Sequence, residues 1–143
     1  MPMRTDSTTV IGRSAVVITV MLFIALIHVF RVGTYLEDPL FSLYYSYFSD
    51  IIIPFGMYFL LCLNDVTLPF LKDWWVKALI VFTVAAITEI MQAFGIPLLG
   101  QTFDMLDIVM FAVGVLSAAF VDRIIFDRIF PFWSLEKTTP SSF

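Results

Sequence analysis

The sequence is poor in the residues that build covalent or metal-bound sites. Cys62 is the single cysteine and His28 the single histidine among 143 residues. No intrachain disulfide and no multi-cysteine metal site can form. A solitary histidine, with no ligand motif around it, gives no metal or cofactor to expect. Charge is scarce too, at 14% of residues, and the net charge of -4 argues against nucleic acid as a partner. Internal repeats and low-complexity segments are missing.

Apolar residues fill the space. They make up 60% of the chain, and mean hydropathy is +0.95. That balance is far too apolar for a soluble domain of this size. The length admits about four spans at roughly 20 residues each. The predicted fold is therefore an all-α membrane protein, a four-transmembrane-helix bundle forming a single membrane domain. Its spans fall near residues 14–30, 44–63, 74–94 and 105–126. The run from Ser14 to Phe30 exceeds a signal-peptide core and has no small-x-small site after it, so it reads as the first span.

Between spans one and two, Asp38 is a candidate helix cap and Pro39 suits a first helical turn. Ser42, Tyr45, Ser46 and Ser49 then form a polar stripe opposite Phe41, Tyr44 and Phe48. This segment predicts a short interfacial helix or a lead-in to span two. Asp50, Pro54, Tyr58 and Cys62 recur every four residues and share a face of that span. Trp74, Trp75 and Trp133 read as interfacial anchors, and the aromatic excess as lipid-facing surface. The tail from Glu136 to Phe143 is polar.

Basic residues give an orientation. Arg4, Arg13, Lys72, Lys77, Arg123, Arg128 and Lys137 fall on the side of both termini, and only Arg31 on the other. The positive-inside rule then places both termini in the cytoplasm.

The sharpest polar signal is Glu89, which lies inside an apolar run. A carboxylate there is costly unless it is paired, protonated or facing a polar cavity. Ala85, Glu89 and Gln92 share one face of span three. Asp107, Phe111, Gly114 and Ala118 share one face of span four, with Gly114 and Ala118 offering a close-contact surface. The short loop between these spans makes them antiparallel neighbours. Glu89, Gln92, Asp104 and Asp107 then converge, with Asp50, His28 and Arg31 toward the same side. Bland readings compete with a site. Asp104 reads as a cap with Asp107 in the first turn, and Glu89 as structural glue bonded to Gln92 or Tyr58. His28 reads as an interhelical hydrogen bond, Arg31 as a snorkelling cation, and Cys62 as packing.

Glu89-x-x-Gln92, a loop holding Gly100, then Asp104-x-x-Asp107 and Gly114 together resemble the VanZ-like membrane proteins. Gln101 and Phe111 stand where that family usually carries Arg and Asn, so no salt bridge carries over from it. The resemblance implies a small multi-pass protein of a bacterial cytoplasmic membrane and implies no known reaction. The resemblance, clearest from Glu89 to Gly114 and weaker back to Asp50, and co-location on one side of the membrane together make Glu89, Gln92, Gln101, Asp104, Asp107, Asp50, His28 and Arg31 the candidate ligand-binding residues. Three functions follow as expectations. The first is a non-enzymatic protein that binds an envelope lipid or small ligand in an outward-facing pocket. The second is a small accessory subunit of a larger membrane complex. The third is an intramembrane enzyme using Glu89 and Asp107 as acid and base. Against the third, no nucleophile or metal-ligand motif accompanies them.

Overall fold

The computed structural model describes residues 7–96 and 104–134. Four helices are long and apolar enough to cross a membrane: α1 (Ser7–Val29), α2 (Leu40–Cys62), α3 (Trp74–Ala93) and α4 (Met105–Phe120). A wide π turn (Val121–Phe126) and a last α turn (Asp127–Ile129) prolong α4, so that the fourth crossing helix runs from Met105 to Ile129. No strand is present among the described residues. The chain is an all-α, multi-pass membrane protein. The bundle has two ends. One holds the start of α1, the α2–α3 connection and the end of α4, and is called here the terminal end. The other, the distal end, holds the α1–α2 connection and the start of α4.

α1 begins earlier than its hydropathy suggests, which brings Arg13 inside the helix rather than ahead of it. Arg31 then takes a left-handed conformation, φ 50°, and turns the chain into a single 3-10 turn at Val32–Tyr35. That turn precedes the segment from Asp38 that the sequence offers as an interfacial helix or a lead-in. The segment after Asp38 is the lead-in to α2, which runs unbroken from Leu40 through Pro54. Asp38 does not cap a backbone N–H. Its Oδ1 accepts from the Ser42 hydroxyl at 2.8 Å instead. Ser42, Tyr45, Ser46 and Ser49 face outward, while Tyr44 and Phe48 stack at 4.4 Å on the half-buried side.

α2 and α4 make the closest helix pair, and Gly114 is the reason. A Cβ built on Gly114 would lie 2.2 Å from the Ile51 carbonyl oxygen, so only glycine permits the approach. α3 packs against both, and α1 rides on α2. The core sits toward the terminal end, built from Val17, Tyr58, Phe59, Val81, Val115, Ala118 and Trp133. Two expectations about aromatics are corrected here. Trp74 and Trp75 are exposed at the start of α3, but Trp133 is only 2% exposed. It packs edge-on against Phe126 at 4.9 Å, and Phe59 is fully buried beside it. Part of the aromatic excess is therefore core, where each ring removes a large area from lipid and fixes packing geometry.

Candidate functional site

Two polar clusters lie at opposite ends of the bundle, and they differ in charge. The terminal cluster is ionic and balanced. Arg13 from α1, Asp65 from the α2–α3 connection, Lys77 from α3 and Asp122 from the π turn are each 2–3% exposed. Arg13 Nη2 donates to Asp65 Oδ2 at 2.7 Å and to the Cys62 carbonyl at 3.0 Å, and Nη1 donates to the Trp133 carbonyl. Lys77 Nζ donates to Asp65 Oδ2 at 2.9 Å and lies 3.4 Å from Asp122 Oδ2. Asp122 also accepts from Tyr58 Oη and Trp133 Nε1, each at 2.6 Å. The cations sit over aromatic faces as well, Arg13 at 4.6 Å from Trp133 and Lys77 at 5.2 Å from Tyr58.

Two cations and two carboxylates thus neutralise one another while tying every crossing helix to the end of the chain. Burial pushes the Asp65 carboxyl above its ordinary value, and Lys77, then Arg13, restrain the rise. With both cations within 2.9 Å it remains their anionic partner. Removing one member of such a network strands the others in a low-dielectric interior. Trp133→Phe keeps the ring but deletes the donor to Asp122. The expected cost is about 1–3 kcal/mol, read as a lower unfolding midpoint in detergent.

The distal cluster is acidic and unbalanced. Glu89 is 3% exposed at the end of α3, and its Oε1 accepts from the Asp104 backbone N–H at 2.9 Å. Asp104 Oδ1 caps α4 by accepting from the Leu106 N–H at 2.9 Å. Glu89 and Asp104 therefore pin the end of α3 to the start of α4. Tyr58, considered as a partner for Glu89, instead serves Asp122 at the other end. Asp50 of α2 and Asp107 of α4 lie near enough for their charges to act on one another, and the charges of Glu89 and Asp104 act on both. Among the described residues, every ion pair belongs to the terminal cluster, and no Lys, Arg or His pairs with these four carboxyls.

Of the other candidates, Gln92 is half-buried in the last turn of α3. His28 is exposed and its Nδ1 lies 3.0 Å from the Ile24 carbonyl of its own helix. Its ring is 5.8 Å from that of Phe48. Arg31 is exposed at the α1–α2 connection, on the acidic end but without an ion pair to it. Gln101 and Gly100 lie outside the described residues, as do Arg4, Lys137 and the tail. Among the described residues, no group of three His, Cys, Asp or Glu side chains is arranged to hold a metal ion.

The terminal network is not apparent in the sequence, where Arg13 and Lys77 read only as orienting basic residues and Asp65 and Asp122 stand in no motif. The signal was present in the stripes. Tyr58 and Cys62 continue to Asp65, Ala85 and Val81 lead back to Lys77, and Gly114 and Ala118 lead on to Asp122, each step three or four residues. Comparison with protein-family models, curated proteins and solved structures gives no match.

Proposed function

We propose that this chain is a VanZ-like protein of a bacterial cytoplasmic membrane that binds an envelope lipid or small ligand at its distal end. The chemistry there selects a ligand bearing an ammonium group. One observation carries this reading: α2, α3 and α4 bring Asp50, Glu89, Asp104 and Asp107 together with no counter-cation among the described residues. Glu89 and Asp104 are occupied in fastening α3 to α4, so Asp50 and Asp107 are the pair open to a ligand. Neighbouring carboxylates favour a cation or a proton between them, and a lipid ammonium supplies the cation. Native mass spectrometry of the purified protein tests this. Wild-type protein is expected to retain phosphatidylethanolamine, and Asp50→Asn/Asp107→Asn to lose it. Equal retention by both would sink the reading.

The distal end faces outward in this proposal, and both termini are cytoplasmic. The support is the basic bias of the terminal end, where Lys72, Arg123 and Arg128 are not part of the buried network. In a Cys62→Ser background, a cysteine at exposed Ile96 is expected to react with an impermeant thiol reagent on intact cells. One at exposed Thr67 should react only after permeabilisation. The reverse pattern would invert the topology.

A further inference from the structure

The terminal network is balanced in charge but not in hydrogen bonds. Arg13 Nε and Asp65 Oδ1 are buried and have no partner. One is a donor and the other an acceptor. Both residues line a small cleft of about 30 Å³ that opens on one side. A space of that size takes a hydroxyl group or one or two waters, and no larger group. The same cleft is lined by Lys72, half-buried, and Arg123, exposed. Neither has an ion pair among the described residues. The half-buried Asp127 is the one lining carboxylate outside the network. Beyond the four mutually neutralised residues, the lining therefore carries two cations against one anion.

The position matters as much as the charge. The cleft draws Asp65 and Lys72 from the connection between α2 and α3, and the chain around Lys72 carries the exposed rings of Phe70, Trp74 and Trp75. Exposed aromatics of this kind sit at headgroup level. We infer that this cleft binds the phosphate of an acidic lipid whose headgroup carries a free hydroxyl. The phosphate lies at the mouth between Lys72 and Arg123. The hydroxyl reaches inward to Arg13 and Asp65, the two lining residues whose Nε and Oδ1 lack partners. A glycerol headgroup has this chemistry, and a choline headgroup does not. This site is at the opposite end from the acidic pair and does not depend on its assignment.

The test is lipid retention by the full chain in nanodiscs, measured by native mass spectrometry. Discs contain phosphatidylcholine with phosphatidylglycerol, or with phosphatidic acid, or with neither but with glycerol phosphate in solution. Wild-type protein is expected to enrich phosphatidylglycerol over phosphatidylcholine. Lys72→Gln/Arg123→Gln should weaken that enrichment by roughly fivefold per cation removed. Neither residue belongs to the buried network, and an unchanged unfolding midpoint confirms that the variant folds. Arg128→Gln removes an exposed cation from the same end, outside the cleft, and should leave the enrichment intact. Three results would each overturn the proposal. The first is equal loss in Arg128→Gln, which means general surface charge. The second is no preference for phosphatidylglycerol over phosphatidic acid, which means the hydroxyl is not read. The third is saturation by free glycerol phosphate, which assigns the cleft to a soluble ligand.

Discussion

Asp65→Asn is expected to destabilise the protein by about 3–5 kcal/mol, the largest loss from any single change at the terminal end. Asparagine keeps the shape of aspartate and removes its charge. Arg13 would then have no carboxylate partner. Lys77 would keep Asp122 alone, at 3.4 Å, and Asp122 already accepts from Tyr58 and Trp133. Lys77 is 2% exposed and Arg13 3%, so neither cation can turn to water without moving a helix. The burden falls on α1 most heavily, because few of its side chains are buried and Arg13 and Val17 are its buried anchors. The expected readout is a sharp drop in folded yield and in the unfolding midpoint. Asp127→Asn, at a half-buried carboxyl beside the same cleft but without an ion pair, is the control and should change little.

Gly114→Val is expected to cost about 3 kcal/mol or more, by forcing α2 and α4 apart. The obstruction is main chain: the Ile51 oxygen, carbon and Cα lie 2.2, 2.9 and 3.1 Å from where the new Cβ would be. Backbone in mid-helix cannot swing aside as a side-chain tip can. Gly56 makes the useful contrast. A Cβ there meets only the ends of Ile24 and Met21, the nearest at 3.3 Å. Gly56→Ala should be neutral or slightly stabilising, since alanine gains helix propensity of about 1 kcal/mol over glycine. A thermal-unfolding series on the two positions separates close approach from mere smallness.

Much of this architecture is legible in the chain, and the reason is the medium. A hydrocarbon interior forces helices, so hydropathy alone marks four crossings. The inward stripes of α2, α3 and α4 also follow from periodicity, and Tyr58, Cys62, Ala85, Glu89, Phe111, Gly114 and Ala118 are all buried as that spacing requires. Periodicity does not say where a stripe stops. Arg13, Lys77 and Asp122 continue the buried faces by one turn, where a charged residue reads as an orientation signal or as nothing in particular rather than as core. Nor can a single sequence show that two helices aim Arg13 and Lys77 at Asp65 in the loop, or that Lys77 also meets Asp122. Trp133 fails for a related reason. It follows the last crossing, where tryptophan is ordinarily an anchor, but the π turn and the break after Ile129 fold it back over Asp122. At the distal end a short connection between antiparallel α3 and α4 brings Glu89 to Asp104 and near Asp107, while Asp50 arrives through the close packing of α2 on α4 that Gly114 permits.

The two clusters differ in charge balance among the described residues, paired and neutral at one end and acidic without an ion pair at the other, and the proposed function makes the second the ligand site. Carboxyls held together for a ligand oppose folding when the ligand is away, so neutralising them should relieve the bundle. The direct measurement is the unfolding midpoint of lipid-stripped Asp50→Asn/Asp107→Asn beside wild type, with amine-lipid retention read on the same samples. The expected result is a midpoint equal to or above wild type together with lost retention. A clear fall in the midpoint, with retention preserved in the protein that remains folded, would contradict it and make the acidic end part of the scaffold.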